Sequence, residues 1–260
     1  MILFLFLSHL GLGIVFTLVF VSREAGVKFF RFNAGLSAIL LVIALAFAFN
    51  AQDAQSASIA LVVSTGLMVF YWATVGRILT KIRAAILGSA VIFGLIAIVF
   101  QGLSVGVAQS WPKMLLTIAS FLTSAALLGG ACTAMILGHW YLILPSMQVA
   151  HLQSIVKLHI ASMVVRVVVV AAAVFFAIAT WQPGLGPSFR HYITSIDGIF
   201  FWQRVLFGLA GPAVLSYLTW ETAKIQSTQS ATGILYVDFF TVVVGEVLAK
   251  YILLATRVPV

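Results

Sequence analysis

Charge is what this sequence has least of. Only 8% of its 260 residues are Asp, Glu, Lys or Arg, and six acids face fourteen Lys and Arg. A soluble domain carries roughly 25% charged residues, so a fold with a water-solvated surface is excluded. Cysteine is nearly absent as well. Cys132 stands alone inside an apolar run, which excludes an internal disulfide and a thiolate metal site and leaves a packing role. There is no Gly-rich phosphate loop and no heptad pattern. No connection between apolar runs is long enough to hold a soluble domain.

What is present is hydrocarbon. The chain is 63% hydrophobic, with a mean hydropathy of +1.18. A transmembrane helix needs about 20 apolar residues. Eight such runs occur, at about 2–22, 33–50, 56–76, 84–102, 114–144, 149–181, 199–220 and 231–254. The fold class predicted is therefore all-α integral membrane. A single transmembrane domain spans 1–260, and eight helices suit two bundles of four. The first run, "MILFLFLSHLGLGIVFTLVFVSREAG", lacks the basic start and the small-residue cleavage site of a signal peptide, and reads as a retained helix.

The turns set the orientation. Arg23, Lys28 and Arg31 follow the first run, and Arg77, Lys81 and Arg83 follow the third. Lys157 and Lys224 lie near the fifth and seventh connections. The other side shows Lys113, Arg190 and Arg257. Positive loops stay in the cytoplasm, which places both termini, with Asp53, outside. The net charge of +8 is explained by this topology, and a nucleic-acid partner does not follow from it.

Function is then read from polar groups at bilayer depth, where an ionisable residue is a functional candidate by default. The last three runs hold Arg166, Arg204, Asp238, Glu246 and Lys250. At about 1.5 Å of rise per residue, Arg166, Arg204, Glu246 and Lys250 share a depth in the outer half. Glu246 and Lys250 are four apart on one helix face. A polar pocket that binds a small head group and handles a proton is one reading. A counter-ion staple locking three helices is the other, with Lys250 and Arg204 snorkelling to the interface.

A second polar set lies toward the inside. "GHWYLILPSMQVAHLQSIVKLH" holds His139, His151 and His159, and the last run adds Tyr236 and Asp238. His and Asp chains are the material of intramembrane proton relays. Interfacial histidines satisfied by backbone and water, among belt aromatics Trp140 and Tyr141, are the plainer account. Histidines in an apolar bundle also suit haem b, with His139 and His159 as the pair of ligands. His9 lies in the outer half of the first helix with no other histidine at its depth, and a four-histidine, two-haem pattern is not evident.

The stretch "RVLFGLAGPAVLSYLTWETAKIQSTQSATGILYVDFFTVVVGEVLAKYILL" resembles the C-terminal part of the membrane-anchor subunits of the DMSO reductase and polysulfide reductase (NrfD-like) class. "TGILY" and the "GE…KY" of the last helix carry the similarity, over about the last 60 residues. That family often has Arg where Lys250 stands. The resemblance implies an eight-helix subunit of a respiratory oxidoreductase complex in a bacterial inner membrane. It implies a menaquinone or ubiquinone bound near the outer face, beneath a periplasmic iron–sulfur or cytochrome partner. Arg166, Arg204, Glu246 and Lys250 would form the quinone site, with Glu246 exchanging the proton. His139, His151, His159 and Asp238 would connect it to the cytoplasm. A cytochrome b-like subunit, and an ion transporter or channel in which Gly208, Gly211 and Pro212 break the seventh helix, are the alternatives.

Overall fold

The computed structural model describes residues 1–48, 55–77, 82–105, 110–143, 148–182 and 188–260. Those residues form helices and no strands. In hydrocarbon every backbone N–H and C=O must be satisfied internally, and a helix does this within one segment.

The helices are α1 (Ile2–Leu18), α2 (Gly26–Ala48), α3 (Gln55–Thr74), α4 (Arg83–Ser104), α5 (Trp111–Ile143) and α6 (Val149–Ala179). A short α7 (Phe189–Thr194) precedes α8 (Ile199–Val205) and α9 (Gly211–Lys224), and α10 (Thr228–Thr256) follows. Seven of the resulting segments are long and apolar enough to cross a membrane. Among them, 196–224 counts as one rod of 29 residues, and α1 is a shorter apolar helix of 17 residues. The chain is thus an all-helical, multi-pass membrane protein.

The seventh rod does not break. Between α8 and α9, Leu206–Ala210 form a π-turn that carries the axis onward. Pro212 has no N–H to give and its ring crowds the preceding turn. The wider π-turn absorbs this mismatch, so the broken helix anticipated at Gly208, Gly211 and Pro212 is corrected to a bulged one.

Packing closes two rings of four. α1 meets α2, α2 meets α3, α3 meets α4, and α4 returns to α1; likewise α5, α6, α9 and α10 contact in a cycle. The rings join chiefly through α1 and α5. Here glycine matters, because the helices nearly touch. A Cβ on Gly13 would lie 2.1 Å from the Ala125 carbonyl oxygen, and one on Gly129 would lie 2.1 Å from Gly13. Beside that contact the Thr17 and Thr133 hydroxyls bond at 2.6 Å. Small residues with a hydroxyl pair are the usual way helices associate in lipid, where no hydrophobic force drives them together. Cys132 is buried at the same seam, consistent with packing.

Candidate buried charge cluster

Glu246 sits on α10 at the centre of the second ring, and four elements converge on it. Arg166 of α6 forks onto both carboxylate oxygens, Nε to Oε1 at 3.0 Å and Nη2 to Oε2 at 3.1 Å. Arg204, at the end of α8, donates from Nη2 to Oε1 at 2.9 Å. Lys250, one turn on, reaches Oε2 at 3.4 Å. Ser124 of α5 donates to Oε2 at 2.6 Å. Arg166, Arg204 and Glu246 are fully buried, and Lys250 is 2% exposed. The sequence-derived prediction that these four charges share one depth therefore holds as a contact. Snorkelling of Arg204 and Lys250 does not occur.

The supporting shell is small and hydroxylic. Arg166 Nη1 donates to the Ser120 Oγ and carbonyl at 2.7 and 3.0 Å, and its Nη2 donates to the Val260 carbonyl at 3.2 Å. Arg204 Nη1 lies against Gly208 and Gly245, where the π-turn and α10 touch. A Cβ on Gly208 would stand 2.2 Å from that nitrogen and 2.6 Å from Gly245 Cα. Gly208→Ala is expected to push Arg204 off Glu246 and to destabilise the chain by about 1–3 kcal/mol, the usual range for overpacking. Thermal unfolding of the purified variant in detergent measures this, and an unshifted midpoint would show that the π-turn yields.

His9 was not read as a site residue, yet α1 carries it across the seam between rings. It is fully buried, with Nδ1 3.3 Å from Ser124 Oγ and its ring edge-on to Phe121 at 4.8 Å. Ser124 fixes its tautomer. The serine has one proton, and the carboxylate of Glu246 can only accept, so that proton goes there. Lys250 Nζ, 2.6 Å away, can only donate. His9 must then donate from Nδ1, which leaves Nε2 as a bare acceptor. Nε2 is buried and has no aligned hydrogen-bond partner among the described residues, with the Gln101 side chain close to the ring.

Beside the cluster runs an apolar cleft of about 420 Å3 between the rings, walled by α1, α4, α5 and α6. Sequence neighbours of the polar groups line it. Leu12 is three residues from His9, Ile98 three from Gln101, and Val165 next to Arg166. Thr123 lines the cleft and accepts from Arg166 Nη1 at 3.5 Å. Gln101 is buried and bonds Ser8 of α1, within the first ring, at 3.2 Å. The outcome is an apolar slot whose wall touches the cluster through Thr123, while His9, Gln101, Ser124 and Arg166 are buried outside its lining.

The inner set does not form one chain. His159 Nε2 lies 2.8 Å from Asp238 Oδ2, both fully buried, close in distance but off hydrogen-bond alignment. His139 is exposed and shares a hydrogen bond with the Tyr236 hydroxyl at 3.1 Å. His151 pairs with Glu24 at 2.6 Å, a partner from the first connection that sequence reading did not supply. The His159–Asp238 layer lies below the Arg166–Glu246 layer by seven residues on α6 and eight on α10, roughly 10–12 Å. Met163 and Val242, both buried, stand between. No hydrogen-bonded path joins the layers among the described residues. A bis-histidine haem on His139 and His159 does not fit either. One ring is exposed beside Tyr236, and the other presents Nε2 to Asp238 inside the core.

No known protein family matches this chain, and no curated protein or solved structure is similar to it.

Proposed function

We propose that this chain is the quinone-handling membrane subunit of a respiratory oxidoreductase complex in a bacterial inner membrane. In this reading eight helices cross the bilayer with both termini outside. A periplasmic iron–sulfur or cytochrome subunit docks on the outer face and exchanges electrons with the bound quinone. The observation that carries the reading is the apolar cleft beside the buried cations, joined to them through Thr123. Such a slot suits the long hydrocarbon tail of an amphiphile, and a small oxygen-bearing head would lie toward the polar cluster. The resemblance of the last helices to quinone-reactive anchors points the same way.

The chemistry assigned to the residues is a proton transfer. The quinol O–H breaks, an N–H forms on His9 Nε2, and the negative charge stays on the quinol oxygen. Arg166, whose Nη1 reaches Thr123 on the cleft wall, and Lys250, bonded to the same Ser124 as His9, are the cations assigned to stabilise that developing charge. Glu246 takes a different role from the proton exchanger first assigned to it. Both its oxygens are already filled by charged donors, so it serves as the fixed counter-ion of the three cations. His159 and Asp238 remain the candidate inner proton station on the cytoplasmic side.

Titration of the purified chain in nanodiscs with a short-chain quinone, followed by quenching of tryptophan fluorescence, tests the proposal. Saturable quenching is expected, and it should be lost in Ala126→Phe or Ala161→Phe, which fill the cleft from facing helices. Quenching that does not saturate, or that survives both substitutions, would remove the quinone reading.

A further inference from the structure

At the opposite face from the charge cluster, two guanidinium groups converge on one small cavity. It has a volume of about 140 Å3 and lies where the end of α1, α2, α3 and the start of α4 meet. Arg23 and Arg83 line it, together with Tyr71 and Ala84. Neither arginine has an ion-pair or hydrogen-bond partner among the described residues. Arg83 only covers the Phe30 ring, at 6.0 Å. The nearby acid, Glu24, is taken by His151.

Two further observations give this cavity the chemistry of an anion site. The start of α4 has no side-chain cap and no acid in its first turn. Its first N–H groups, including that of Ala84 on the cavity wall, have no partner among the described residues and stand at the positive end of a 22-residue helix. Tyr71 is 3% exposed and lines the cavity, and no described residue hydrogen-bonds its hydroxyl. A largely buried tyrosine, two unpaired guanidinium groups and an uncapped helix start all face the same space.

We infer that this cavity binds a phosphate group, and that its source is the headgroup of an anionic phospholipid. Arginine forks match phosphate oxygens, and basic pockets between helices on the cytoplasmic side are where such headgroups dock. The walls favour a lipid over a free ion. Val19 lines the cavity and is 52% exposed, and Leu18, Val21 and Leu87 line it with Val19. A phosphodiester could thus enter with its glycerol and acyl chains left in the membrane.

Native mass spectrometry of the purified, delipidated full chain tests this after addition of phosphatidylglycerol, phosphatidylcholine or inorganic phosphate. The wild type should retain phosphatidylglycerol and not phosphatidylcholine. The double variant Arg23→Gln, Arg83→Gln should lose that retention by roughly tenfold or more, while Arg190→Gln, on the other face, leaves it unchanged. Tyr71→Phe removes a single hydroxyl and should weaken retention without affecting folding, so it decides the matter if the double variant does not fold. Phosphate that raises the unfolding temperature of a chain retaining no lipid would assign the site to free phosphate instead. Equal retention of both lipids by wild type and variants, with no effect of phosphate, would overturn the site.

Discussion

Glu246→Gln is expected to prevent the chain from folding stably rather than merely to slow it. The carboxylate is the sole side-chain anion touching Arg166, Arg204 and Lys250 among the described residues, and all four groups are buried. Glutamine keeps the shape and one acceptor oxygen but removes the charge. It also places an NH2 where a second acceptor stood, opposite donors that cannot turn around. Breaking a buried ion pair by removing one partner costs roughly 3–5 kcal/mol, because the survivor is left unpaired in a low dielectric. Here three cations are stranded together, so the loss lies at the upper end of that range. Membrane yield and thermal unfolding of the purified variant give the answer. Glu246→Asp, which keeps the charge, should recover part of the loss. A Gln variant with wild-type yield and midpoint would mean that the cluster tolerates neutralisation, and Glu246 would return as a candidate proton carrier.

Much of the frame was legible because the bilayer imposes a simple code. Apolar runs of helical length map onto helices almost one to one, and the described boundaries fall within a few residues of those read at 84–102 or 149–181. The meeting of Arg166, Arg204, Glu246 and Lys250 was legible for the same reason. A charge in lipid needs a partner at its own depth, and rise per residue gives the depth. Azimuth is what one sequence does not carry. His139 and His159 share a side of the membrane, but one faces outward and the other faces the core. His9 shows the same gap. Its depth matched the cluster, but α1 belongs to the other ring, and only the Gly13–Gly129 contact brings it within reach of Ser124. Gly13 and Gly129, spaced among apolar residues, were the available signal for that close approach. The bulge at Leu206–Ala210 was half visible: Gly208, Gly211 and Pro212 mark an irregular helix, without saying whether it breaks or widens.

His9→Gln separates catalysis from architecture. Glutamine can still donate a hydrogen bond to Ser124 and fills much of the imidazole's space beside Phe121, so the cluster should stay closed and unfolding should be little changed. What it lacks is a basic nitrogen. If His9 Nε2 takes the quinol proton, turnover with quinol in the assembled complex should fall by about 10²–10⁴-fold, the usual contribution of a positioned acid–base group. Quinone binding by fluorescence quenching should meanwhile persist, because the cations and the cleft are intact. The same comparison also tests the inner station, since His159→Gln, two turns deeper, should spare the first proton transfer and leave that rate near wild type. A His9→Gln complex that turns over normally would show that the imidazole only packs at the seam, and the base would have to be sought at Lys250 or Glu246, the other titratable groups on Ser124.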